Sequence, residues 1–371
     1  MAEPRVLFVS KPIAPPWHDG SKNLVRDVAA NLVRARATVM TTPGAPEVGP
    51  RVTLDPVYRD SGRFAPSVTA NARGVARLAA GDPHDVWHFV FAPNPVSSTV
   101  ARVASRGRRA LGWNGKVVQT VASAPRSFEG AASWIFGDVV VALSEHTRGR
   151  LVGAGVSAER IRVIPPCARA PKADHDVAEV RRRFDLGDGP VVLYPGDYEV
   201  SQGAQTVAGA ARAIVETVPD ARIVFACRKK TAAADDAQRM VEQELSRVGV
   251  AHRTRHLGEV KDMSELLAVA SVVVFPVDDL YGKVDLPLVV LEAMALGRPI
   301  VLARGGPLEA LDFARFVEPG DERALATHVV ELLRDVEAAR RLGDEAKRMY
   351  DARYTPRAVA ARYDDLYAEV L

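Results

Sequence analysis

Short, almost wholly apolar runs alternate with helical segments along this chain of 371 residues, and the alternation is made twice. A strand with one wet face alternates apolar and polar residues. Arg5-Val-Leu-Phe-Val-Ser10 and Ser271-Val-Val-Val-Phe-Pro276 do not, so both faces of such strands must be covered, as in a parallel sheet with helices on either side. In the first half the pattern predicts strands at 5–10, 36–41, 85–91, 116–121, 138–143 and 161–164, with helices near 21–35, 67–80, 94–106 and 144–154. In the second half it predicts strands at 190–195, 221–227, 254–257, 271–276, 299–303 and 314–317, with helices at 174–184, 202–217, 231–248, 263–269 and 286–296. Three further helices, about 321–335, 336–352 and 356–370, close the chain. Between the halves, Pro165-Pro-Cys-Ala-Arg-Ala-Pro-Lys172 reads as a proline-rich linker. The class is therefore α/β, with two Rossmann-like doubly wound domains expected to face a central cleft and to take ligand at the carboxyl ends of their strands.

Composition narrows the function classes. The length suits two domains rather than one core. Apolar content of 47% with 26% charged residues describes a globular chain, and no apolar run approaches the ~20 residues of a membrane span. A strand from Arg5 onward leaves no room for a signal peptide. Cys167 and Cys227 lack metal-ligand spacing, so a reducing cytoplasm is the expected compartment. The net charge of +3 hides an asymmetry: residues 1–165 hold 21 Lys+Arg against 12 Asp+Glu, and the remainder 28 against 34. Arg106, Arg108, Arg109, Trp113 and Lys116 form a basic cluster that reads as a solvated turn or as a patch for peripheral contact with a membrane. The arginines are otherwise scattered and no recognised motif accompanies them, so nucleic acid is not an expected partner.

One carboxylate stands inside an apolar helical run, Asp285-Leu-Pro-Leu-Val-Val-Leu-Glu-Ala-Met-Ala-Leu-Gly-Arg-Pro-Ile-Val301. Asp285 and Pro287 suggest an N-cap and a first-turn proline, and Gly297 a stop. Burying the Glu292 charge without a partner is costly, so Glu292 is expected near the positive end of its helix against a polar ligand or a cation. From Leu286 onward the segment resembles the donor-site helix of family-4 (group 1) retaining glycosyltransferases of the GT-B fold. The likeness extends over nearly the whole chain and is densest at 138–165 and 258–303. It implies that Glu292 binds the ribose of a nucleotide diphosphate sugar, and that Leu286 and Pro287 lie at the helix end facing the diphosphate. It implies no metal and no cofactor beyond that donor substrate.

The resemblance places further residues and also shows departures. In Ser10-Lys-Pro-Ile-Ala-Pro-Pro-Trp-His-Asp-Gly-Ser-Lys-Asn23, Gly20 and Ser21 stand at a loop that approaches the diphosphate or acceptor. Gly196 and Gly203 bound the loop that usually supplies two phosphate-binding cations, but Asp197 and Gln202 occupy those positions here. Val284 replaces the usual second glutamate, and Val90 the second histidine of the family's strand pattern. His88 keeps the first histidine; it is a donor-site candidate by the resemblance and a core histidine by its place in an apolar strand. A departing diphosphate needs positive charge, so Arg228, Lys229, Lys230 and Lys283 are the candidate replacements, with Arg228, Lys230 and Lys283 expected to do the catalytic work.

These expectations combine into a cytoplasmic glycosyltransferase, peripheral to the inner membrane face, that moves a hexosyl group with retention to a carbohydrate or lipid-linked acceptor. Its domains are expected at 1–168 for the acceptor side and 169–353 for the donor side, with the helix 354–371 crossing back to the first. The alternative is a catalytically degenerate GT-B protein that binds a nucleotide or carbohydrate without turnover.

Overall fold

Neighbouring residues of one strand serve different cores. Val6 and Phe8 of the first strand join one apolar cluster, while Leu7 between them joins another. Val86 and Val90 alternate with Trp87 and Phe89 in the same way. That period of two is what a sheet covered on both faces requires. The computed structural model describes residues 3–59, 68–229 and 231–371. It divides into two compact units: Met1–Arg169 with Tyr281–Pro287 and Arg353–Leu371, and Ala170–Leu280 with Leu288–Ala352.

The first unit is a seven-stranded, all-parallel sheet of β1 (Arg5–Val9), β2 (Arg36–Met40), β3 (Val52–Asp55), β4 (Val86–Phe91), β5 (Lys116–Val121), β6 (Val139–Ala142) and β7 (Ile161–Val163), in the order β3-β2-β1-β4-β5-β6-β7. Its helices include α1 (Gly20–Asn31), α2 (Val68–Ala80), α3 (Pro95–Ala110) and α4 (Glu145–Gly153). The edge strand β3 is not among the predicted ones, because four residues, three half-exposed and one exposed, carry too little apolar pattern.

The second unit holds β8 (Val191–Tyr194), β9 (Arg222–Phe225), β10 (Thr254–His256), β11 (Val272–Phe275), β12 (Ile300–Ala303) and β13 (Arg315–Val317), all parallel, in the order β10-β9-β8-β11-β12-β13. Its helices are α5 (Val177–Arg183), α6 (Gly203–Thr217), α7 (Ala233–Arg247), α8 (Met263–Val269), α9 (Leu288–Ala295), α10 (Glu322–Arg334) and α11 (Val336–Arg353). Gly297 ends α9 as expected: at φ 62° its N–H donates to the Met294 carbonyl and that of Arg298 to Ala293, a Schellman pair. The α9 end also approaches α11 so closely that a Cβ on Gly343 would lie 2.0 Å from the Gly297 carbonyl oxygen.

The last helix, α12 (Pro356–Val370), packs in the first unit against α1, with Val359, Tyr363 and Tyr367 in the same core as Leu24 and Val28. The Asp364 carboxylate accepts from the Val33 and Arg34 N–H groups just beyond α1, at 2.8 and 3.2 Å. Part of the segment read as a linker belongs to this core too. Cys167 is fully buried, and the Ala168 N–H donates to the Tyr354 carbonyl. Both cysteines are free and buried. No helix among the described residues is long and apolar enough to cross a membrane.

Candidate functional site

In a doubly wound sheet the connections leave in opposite directions at one point of the strand order, and ligands bind beyond the carboxyl ends of the two strands there. The second sheet switches between β8 and β11, and the first between β1 and β4.

Beyond β8, the connection to α6 is a tightly folded loop. The Tyr194 ring is fully buried, and its hydroxyl donates to the Asp197 carbonyl at 2.9 Å. A Cβ on Gly196 would stand 2.3 Å from this ring. One on Gly203 would stand 2.8 Å from the Tyr194 hydroxyl and 3.1 Å from Val277. Glycine at both ends of the loop is therefore a packing requirement. The Gly196 N–H donates to the Cys227 sulfur beyond β9, and the Gln202 N–H to Asp278 beyond β11, at 3.1 Å. The loop thus bridges the switch point. In place of cations it carries Asp197, wholly buried, with its carboxylate accepting from the Val200 N–H at 3.3 Å.

Positive charge enters from the next strand. Arg228 follows Cys227 at the carboxyl end of β9; its guanidinium is partly exposed and lies 3.9 Å from Glu259. Lys229 pairs with Asp235 in the first turn of α7, at 2.5 Å. Lys230 lies outside the described residues. Lys283 is half-buried, and its segment groups with the first unit. Glu292 is half-buried on α9 at the fifth position of that helix, among buried Val290, Leu291, Ala293 and Met294.

In the first unit the loop after β1 is held by Tyr58, which donates to the Ser10 carbonyl at 2.7 Å, and by Thr41, which donates to the Ile13 carbonyl at 2.7 Å. Asp19 caps α1, accepting from the Ser21 and Lys22 N–H groups at 2.8 and 3.2 Å, from the Ser21 hydroxyl at 2.6 Å and from Lys11 at 2.6 Å. Burial raises the Asp19 pKa, but Lys11 and these hydrogen bonds outweigh it and hold the group below its ordinary value. Ser21 and the first turn of α1 are thus already engaged by a carboxylate, the capped helix that an ordinary connecting loop would also present. Gly20 itself backs onto Val284, whose methyls a Cβ would meet at 3.1 Å. Lys22 is buried and its pKa is lowered, chiefly by desolvation.

Two sequence assignments change. Asp285 does not cap its own helix, which begins only at Leu288. Its buried carboxylate accepts from the Ser144 hydroxyl at 2.5 Å and from the Thr147 side chain, at the N-terminus of α4 in the first unit; Leu286 and Pro287 beside it are buried as well. His88 is a core residue. One ring nitrogen meets the Tyr367 hydroxyl and the other Thr120 Oγ1, both at 2.7 Å, and burial lowers its pKa to about 3. A neutral, doubly bonded imidazole with 1% exposure has no face left for a ligand.

Among the described residues no group of three or more His, Cys, Asp or Glu converges as a metal site. A cavity of about 540 Å³ lined by Arg5, His84, Asp85, Arg108, Trp113 and Leu371 lies at the amino ends of β1, β4 and β5, away from the switch point.

Residues 189–335, which contain the Gly196 loop, Arg228 and Glu292, match the family model described as Glycosyl transferases group 1. This chain carries a group 1 glycosyltransferase domain. Over 97% of its length, and 97% of the relative's, the chain is 25% identical to the GDP-mannose-dependent alpha-(1-6)-phosphatidylinositol monomannoside mannosyltransferase of Mycobacterium tuberculosis H37Rv. It is 27% identical to the enzyme of the same name in Mycolicibacterium smegmatis, over 89% of each. The structure of HepE from Anabaena in complex with UDP superposes with a TM-score of 0.77 at 17% identity, over 98% of this chain and 100% of that one. The fold of this glycosyltransferase is GT-B, as its two parallel sheets and that superposition show.

Proposed function

We propose that this glycosyltransferase moves a hexosyl group, of the mannosyl type, from a nucleoside diphosphate sugar to a lipid-linked or carbohydrate acceptor with retention of configuration, in the cytoplasm at the inner face of a membrane. The observation that carries the reading is the near full-length likeness to the two mannosyltransferases, whose names specify GDP-mannose and a phosphatidylinositol mannoside. In this reading Glu292 holds the ribose, and the Gly196–Gly203 loop lies under the diphosphate. The acceptor hydroxyl attacks the anomeric carbon as the bond to the diphosphate breaks, and the departing phosphate oxygen takes its proton. Charge on that oxygen must be stabilised. Arg228, which follows Cys227 at the carboxyl end of β9, is the cation this reading assigns to that oxygen, where it has to outweigh the buried Asp197. Arg228 therefore replaces the missing loop cations.

Thermal melts with GDP, UDP, ADP and their sugar conjugates test the donor, since a ligand at ~100 times its dissociation constant stabilises the fold by roughly 2.7 kcal/mol. Transfer with the best donor, followed by NMR of the anomeric proton, tests retention. Stabilisation by GDP-mannose without turnover on any lipid or glycan acceptor would overturn the proposal.

A further inference from the structure

We infer that the outward face of α3 is a docking surface for an anionic lipid bilayer. Val96, Val100 and Val103 recur at helical spacing along α3, and Leu111 follows at its C-cap; they are 74%, 41%, 64% and 80% exposed. The opposite face supplies the buried Ser98, Ala101 and Ser105. A single exposed valine is ordinary, but four aligned aliphatic side chains form a continuous apolar stripe on the surface.

The charge around the stripe selects its partner. From Val86 to Phe128 there is no Asp or Glu, while Arg102, Arg106, Arg108, Arg109, Lys116 and Arg126 fall in that stretch. Three of these are engaged within the unit: Arg102 by the Ser133 carbonyl, Arg108 by the Ala79 and Gly81 carbonyls, and Arg109 by Asp138. Arg106 and Lys116 are exposed and have no carboxylate partner among the described residues. A second copy of the chain would set the unpaired Arg106 and Lys116 of one face against the same cations of the other, which repel. Nucleic acid would seek aromatic platforms, but Trp113 is buried and stacked on Trp87 at 4.1 Å. An anionic bilayer accommodates both the aliphatic stripe and the cations beside it. The stripe begins next to Asn94, which caps α3 just beyond β4, so it starts at the switch point of the first sheet. A lipid-linked acceptor would arrive at that edge; this point rests on the proposed transfer, whereas the docking does not.

The test is sedimentation of the full chain with vesicles, without nucleotide sugar, using phosphatidylcholine alone or with one third phosphatidylglycerol. The wild type should pellet with the anionic vesicles and less as salt rises. The V96S/V100S/V103S variant should lose about tenfold in binding at every salt concentration, while R106Q/K116Q should lose binding mainly at low salt and flatten the salt dependence. The inference is overturned if the wild type stays in the supernatant. It is also overturned if the serine variant, with an unchanged thermal melt, pellets as well as the wild type, or if ultracentrifugation finds a dimer that the serine changes dissociate. Vesicle binding by a chain that turns over no sugar donor would leave docking intact and remove only the proposed transfer.

Discussion

The Ser144 hydroxyl donates a 2.5 Å hydrogen bond to the Asp285 carboxylate across 141 positions of sequence. The same Ser144 oxygen accepts from the Thr147 N–H as the N-cap of α4, so one hydroxyl ends a helix and fixes the strand of chain that leads toward α9. Both residues are buried, and desolvation holds the Asp285 pKa above its ordinary 3.8, against the opposing hydrogen bonds.

Asp285→Ala should cost about 1–3 kcal/mol, because it strands a buried hydroxyl, and Asp285→Asn should cost less. A carboxyl whose folded pKa is raised contributes stability that is present below 3.8 and lost as pH rises through the raised value. The advantage of wild type over Asp285→Asn in urea melts should therefore shrink with rising pH. A difference independent of pH would show that the buried group does not titrate.

For His88 the sign is reversed. Its folded pKa of about 3 lies below the ordinary 6.5, so its contribution is present above 6.5 and is lost as pH falls toward 3. Wild type should lose stability across that window by up to about 1.4 kcal/mol per pH unit more steeply than His88→Gln. His88→Leu removes the partners of Tyr367 and Thr120 and should speed amide exchange in α12 first, a change that mass spectrometry would localise.

Glu292→Ala should weaken binding of the best nucleotide by ~1.5–3 kcal/mol, roughly ten- to a hundredfold, through loss of a charged acceptor for the ribose hydroxyls. Calorimetric titration measures it. Unchanged affinity in a folded variant would remove Glu292 from the donor site.

Arg228→Ala should lower turnover by more than it lowers nucleoside affinity, since charge on the departing phosphate develops in the transition state. Comparing kcat with the dissociation constant of the nucleoside alone separates the two effects. Equal losses in both would make Arg228 a binding residue only.

Helix and strand positions were legible because their cause is local. Apolar runs such as Val272–Phe275 state that both faces are covered, and every predicted strand lies within two residues of an observed one. Gly297 announced the end of α9 through a backbone conformation that glycine adopts without strain. The Glu292 segment and the two loop glycines lie within residues 189–335, the stretch that matches the group 1 model.

Pairings across the fold were not legible, because which polar group meets which depends on where distant segments return. The sequence alone offered Asp285 as the cap of the nearest helix, but the fold gives it to α4. The sequence left His88 open between the donor site and the core, and helix α12, arriving 279 residues later, takes one of its nitrogens. A proline-rich stretch that reads as a linker contains Cys167, which the first core encloses. The basic cluster at Arg106–Lys116 gave the charge of a surface but not its shape. Only the packed helix decides that Arg108 and Trp113 turn inward while Val96, Val100 and Val103 face out. Local periodicity thus fixes the elements from sequence, whereas burial and polar partnership are properties of the assembled core and exist only once distant segments meet.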